Sequence, residues 1–184
     1  MYGVMSPTEE QIVDLSRVHT KLSEAEFFLA KICEQEQRFI GDKEPFDYYL
    51  SAFLNAGRTV DYRLIHQHGA IYKPWRATWD THLASGEVDL LKFMADDRAA
   101  EVHKTGSTRS VGREGVALGI GEHHLPPGQG MIIVSGPPDM PPGELYRPTY
   151  NYTINGIERK ATDACKEYLA LLRRIVTEFE AAYP

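Results

Sequence analysis

Phe46-Asp47-Tyr48-Tyr49-Leu50-Ser51-Ala52-Phe53-Leu54-Asn55-Ala56-Gly57-Arg58-Thr59-Val60 sets the fold class of this chain. Phe46, Tyr49, Leu50, Phe53, Leu54, Gly57 and Val60 return three or four residues apart, and Leu64 and Ile65 continue the series. A helical turn brings side chains at that spacing onto one face. The segment reads as a helix buried along one side, opening after a turn over 41–45 and stopping near Gly69.

Upstream, Leu15, Leu22 and Leu29 recur at heptad spacing, as do Val18, Ala25 and Ile32. They predict one apolar seam along a helix that reaches about Ile40. Ser6-Pro7-Thr8-Glu9 has the residues of its start, with Ser6 and Glu9 placed for reciprocal capping and Pro7 in the first turn. Ser23-Glu24-Ala25-Glu26 offers a second start and a break there. Downstream, Tyr72, Trp75, Trp79 and Leu83 predict a short helix opened by Pro74, its tryptophans anchored in the core. Ser85 then caps a helix whose inward stripe runs Val88, Leu91, Ala95, Arg98 and Val102 before Gly106.

From Gly106 to Tyr150 the chain holds nine glycines and seven prolines in 45 residues, a density that prevents continuous helix. Short strands are expected at 116–120 and 131–134. Tyr150–Ile154 and Ile157–Lys160 flank Asn155-Gly156, the pair that two-residue hairpins favour. Thr162 can cap a last helix with Cys165, Tyr168, Leu169, Leu172, Ile175, Val176 and Phe179 on one face. The expected fold is mainly α: one domain over 1–184, an antiparallel helical bundle with a Gly/Pro-rich β-hairpin excursion, 106–160, before the last helix. Apolar surface left over would favour a dimer.

The 184 residues are 42% hydrophobic and 25% charged, the balance of a folded domain. A net charge of −6 speaks against nonspecific wrapping of nucleic acid and leaves room for a small basic site. Met1-Tyr2-Gly3-Val4-Met5 does not read as a secretory leader, so none is expected, and the sequence has no apolar run of the roughly 18 residues that a membrane span needs. Cys33 and Cys165 lie far apart inside expected helices, as reduced thiols would. A cytoplasmic protein without a membrane anchor is expected.

Burying an unpaired guanidinium is costly, so Arg98 on an apolar stripe requires a partner, a cleft or a subunit seam. His103 follows in the last turn, where the negative helix end favours its protonated form. Lys104, Arg109 and Arg113 come next in a Gly/Ser/Thr-rich stretch and can grip phosphates or simply face solvent. No histidine or cysteine spacing is diagnostic of a metal: His66 and His68 do not share a helix face, and His82, His123 and His124 complete no pattern. Gly119-Ile120-Gly121-Glu122 lacks the third glycine of a dinucleotide fingerprint, and no phosphate-loop motif occurs. No cofactor is expected.

Arg98-Ala99-Ala100-Glu101-Val102-His103 resembles the Arg-x4-6-His signature of the HEPN superfamily, and 46–60 resembles the second helix of poorly characterised bacterial HEPN-like proteins. The likeness covers the helical two thirds of the chain. It implies a homodimer in which Arg98 and His103 of both subunits face a shared cleft, and, in active members, metal-independent cleavage of RNA of the defence or toxin–antitoxin kind. His103 would deprotonate a ribose 2′-OH while Arg98 stabilises charge developing on the phosphate. Lys104, Arg109 and Arg113 would hold substrate, and a cognate antitoxin or other protein is a further partner. The rival expectation is a noncatalytic helical module that binds a partner protein, with Arg98 paired internally to Asp61, Asp97 or Glu101.

Overall fold

The computed structural model describes residues 13–38, 43–103, 108–116 and 145–184, apart from the side chains of 43, 100–103, 113–116 and 145–147. Four helices, α1 (Ser16–Glu36), α2 (Lys43–Asp80), α3 (Ser85–His103) and α4 (Ala161–Ala182), carry the architecture. Three strands, β1 (Ser110–Val116), β2 (Leu145–Ile154) and β3 (Ile157–Lys160), form an antiparallel sheet before α4 in the order β1-β2-β3. The mainly helical fold with a small sheet before its last helix is the one the sequence predicts.

In α1 the heptad seam is the inward face: Leu15, Val18, Leu22, Ala25, Leu29 and Ile32 are all buried. The helix is continuous through Ser23 to Glu26, so no break occurs there. It begins at Ser16, whose N–H donates to Asp14 Oδ1 at 2.9 Å. Val13 to Leu15 are not helical. The expected helix is therefore not continuous through 13–15, and its expected start at Ser6 to Glu9 lies outside the described residues.

The second and third expected helices follow one another without a loop as α2, divided by a non-helical residue, His68 (φ −128°, ψ 21°), one position before the expected stop near Gly69. Six residues on, Pro74 has no N–H to give the carbonyl one turn back, which favours a bend in this region. Beyond the bend Tyr72 and Trp75 pack on Phe179 of α4, and Trp79 stacks on Trp75. Trp79 Nε1–H donates to Glu178 at 2.6 Å.

Asn155 and Gly156 join β2 to β3 with φ of 52° and 78°, the left-handed pair a tight hairpin turn demands. β1 occupies 110–116, earlier than the expected strand at 116–120, and pairs from Ser110 opposite Asn151 to Val116 opposite Leu145. The expected strand at 131–134 lies outside the described residues. Tyr150, Tyr152 and Ile154, on alternate positions of β2, turn into the core. α4 starts at Ala161, and Thr162 does not cap it; its hydroxyl donates instead to Glu36 Oε2 at the end of α1, at 2.8 Å.

Candidate functional site

The start of α3 is fixed by Glu87, which reaches back to accept the Ala84 N–H at 2.9 Å and binds Arg174 of α4. The inward residues are Leu90, Met94 and Asp97, all buried. The expected stripe of Leu91, Ala95 and Arg98 is thus one position out, about 100° around the helix. The charge on the inward face belongs to Asp97.

Asp97 is 2% exposed. Its Oδ2 accepts the Tyr152 hydroxyl at 2.8 Å, and its Oδ1 accepts the Thr108 N–H at 2.7 Å and hydroxyl at 2.8 Å. A buried carboxylate satisfied in this way clamps the end of α3 and the segment after it onto the sheet.

Arg98, one residue on, is half-buried and faces α2. Its Nε–H donates to Asn55 Oδ1 at 3.1 Å. Asn55 Nδ2 donates to the Ser51 carbonyl at 2.9 Å, which orients the amide so that its oxygen meets the guanidinium. Of the acids the sequence offers as partners, Asp61 binds Arg58, Arg76 and the Tyr72 hydroxyl. Asp97 faces inward, and the side chain of Glu101 lies outside the described set. Among the described residues, no carboxylate forms an ion pair with Arg98. A guanidinium held by a neutral amide through Nε keeps its charge and can present its two terminal nitrogens to an anion.

His103 is the last residue of α3; its side chain, like that of Arg113 on β1, lies outside the described set, as does Lys104 entirely. The five-residue step from Arg98 stays helical and turns the two positions about 140° apart. Arg109 corrects an expectation. Its side chain is 4% exposed and pairs with Asp47, with the guanidinium 5.4 Å from the Phe46 centroid and 4.9 Å from that of Tyr150. The two rings stack with centroids 3.6 Å apart. So placed, Arg109 fastens the start of β1 to α2 and does not face solvent. Burial draws its pKa down, yet a guanidinium stays charged.

Among the described residues no three metal-ligating side chains gather. His66 and His82 are exposed, and His68 contacts the Asp14 carbonyl at 3.1 Å. His123, His124 and the 119–122 glycine motif lie outside the described residues. No described helix is long and apolar enough to cross a membrane. Sequence reasoning missed Asn55, since a half-buried asparagine within a helix carries no local signal of a partner on another helix. It also missed Asp97, although an acid beside three apolar positions was a visible anomaly. No protein-family model matches the chain, nor does any curated protein or solved structure.

Proposed function

We propose that this chain is a HEPN-like helical protein that acts in the cytoplasm as a homodimer and cleaves RNA without a metal ion, Arg98 and His103 being its working pair. The observation that carries the reading is the state of Arg98: held by Asn55 through Nε, half-buried, and without an ion-pair partner among the described residues. A cation anchored but not neutralised is what stabilisation of a phosphorane-like transition state requires. In the reaction the 2′-oxygen attacks phosphorus as His103 takes its proton, the P–O5′ bond breaks, and the departing 5′-oxygen takes a proton from water and leaves as a hydroxyl. A 2′,3′-cyclic phosphate remains.

Purified protein incubated with mixed RNA in chelator tests this. Wild type should cleave, and Arg98→Ala and His103→Ala should each slow cleavage by about a hundredfold or more while keeping the helical circular dichroism. Absent cleavage, or equal cleavage by all three, defeats the assignment. The second reading is a noncatalytic module binding a partner protein such as an antitoxin. It is favoured by α3 remaining helical through His103, which turns the pair apart within one copy.

A further inference from the structure

A second cationic surface lies between the start of α1 and the middle of α2. Arg17, Tyr62, Arg63, His66 and Gln67 line a cleft of about 190 Å³. Tyr62 is 60% exposed, and its ring stacks on His66 with centroids 5.9 Å apart and planes 29° apart. Both are on the outward side of α2, one turn from each other, away from the core-facing Val60 and Leu64. An exposed aromatic pair of this kind contributes little to the core, and it offers a flat face to a planar ligand.

One of the two cations beside it is held in place. Arg63 Nη1 donates to the Arg17 carbonyl, which draws its guanidinium across the gap between the helices. Arg17 stands in the first turn of α1, where the positive helix end disfavours a cation and no acid is present. Asp14 lies near enough to Arg17 to feel its charge and offsets part of it, while its carboxylate accepts the Ser16 N–H and does not contact the guanidinium. Among the described residues neither Arg17 nor Arg63 forms an ion pair with a carboxylate. On a chain of net charge −6, two guanidiniums without a carboxylate contact among the described residues, beside a stacked aromatic pair, are matched to a phosphate joined to a base.

We propose that this cleft binds single-stranded RNA, a base stacking on Tyr62 and His66 and an adjoining phosphate lying between Arg17 and Arg63. The inference rests on RNA being the substrate and adds a binding subsite to it. Unpaired bases can leave their neighbours to stack on protein rings, whereas duplex bases cannot.

The test is fluorescence anisotropy of a labelled single-stranded RNA of about twelve nucleotides, a length that spans such sites. His103→Ala is the background, so that no cleavage intervenes. Tyr62→Ala should weaken binding about tenfold. Arg17→Glu, at an exposed position, should weaken it further and flatten the slope of log affinity against log salt by about 0.7 for each phosphate no longer neutralised. A duplex of the same sequence should bind more weakly. Unchanged affinity in both variants, equal affinity for the duplex, no RNA binding, or equal competition by an acidic peptide would each overturn the proposal; the last would mark the cleft as a protein-docking surface. In the otherwise wild-type enzyme, Tyr62→Ala should raise KM and leave kcat unchanged. Cleavage that needs Arg98 and His103 but ignores Tyr62 defeats this inference and spares the catalytic reading. RNA binding that needs Tyr62 and Arg17, in a protein that does not cleave, does the reverse.

Discussion

Arg98 and Arg109 show how the partner of a guanidinium decides what it can do. Arg109 meets the carboxylate of Asp47 beside two stacked rings and is a fastening; among the described residues Arg98 meets the amide of Asn55 and no carboxylate. The contrast makes Asn55 a positioning residue, and exchanging its amide for an acid isolates the electrostatic part. Asn55→Asp preserves shape and turns the contact into an ion pair. If Arg98 stabilises a phosphate in the transition state, cleavage should fall by about tenfold or more, since a neutralised cation attracts an anion less. The thermal midpoint should hold or rise, because the new pair is only half-buried. Asn55→Gln cannot form the pair and should fall less. Cleavage unaltered by the acid would remove Arg98's charge from the mechanism. Nothing near Asn55 in the sequence announces this role; its partner is 43 positions away and on another helix.

At the level of elements, α2 meets α4 closely at Gly57. A Cβ built there would stand 2.7 Å from Tyr168 Cε1 and 3.3 Å from Leu172 Cδ1. Gly57→Ala should therefore cost about 1–3 kcal/mol, read from the urea midpoint, because the Tyr168 ring packed against Phe53 must move. A midpoint equal to wild type would mean that the ring yields freely. The register of α3 makes a second case. Glu87 joins its start to α4, and hydrogen bonds from Arg174 first, then from the Ala84 N–H, hold its carboxyl below the ordinary 4.5. A lowered folded-state value gives stability that is complete above the unfolded value and is lost as pH falls through the folded one. Glu87→Gln should thus be less stable than wild type at neutral pH, with the gap closing as the pH falls through the lowered folded-state value and the Glu87 carboxyl becomes uncharged. A gap that persists there would show that charge is not the cause. The same helix marks how far the sequence could be read. In α1 every seam residue is apolar, so periodicity alone placed the inward face; the Asn155-Gly156 turn likewise declared itself. In α3 the inward set ends on Asp97, whose partners Tyr152 and Thr108 lie 55 and 11 residues further on. Periodicity cannot see a carboxylate that distant residues make acceptable, so the apolar stripe was drawn one residue late, through Arg98.

For the whole molecule, that rotation turns the oligomeric state into a mechanistic question. With Asp97 inward and α3 helical to its end, Arg98 and His103 leave the helix in directions about 140° apart, so one copy does not bring them to one phosphate by helical geometry alone. Two copies related by a twofold axis can, each supplying Arg98 to one site and His103 to the other. Complementation then follows. If the chain is the proposed dimeric ribonuclease, neither Arg98→Ala nor His103→Ala should cleave RNA alone, but coexpressed in equal amounts they should form hybrid dimers as about half of the population by random pairing. In each hybrid one site has lost both groups and the other retains both, so the mixture should recover about a quarter of wild-type cleavage. If each copy instead used its own pair, every site in every dimer would lack one group, and the mixture would remain inactive. Two affinity tags, one on each variant, allow the hybrid to be purified; its activity should then approach about half that of wild type. An inactive hybrid beside an active wild type would place both groups in one subunit and require the end of α3 to unwind on binding RNA.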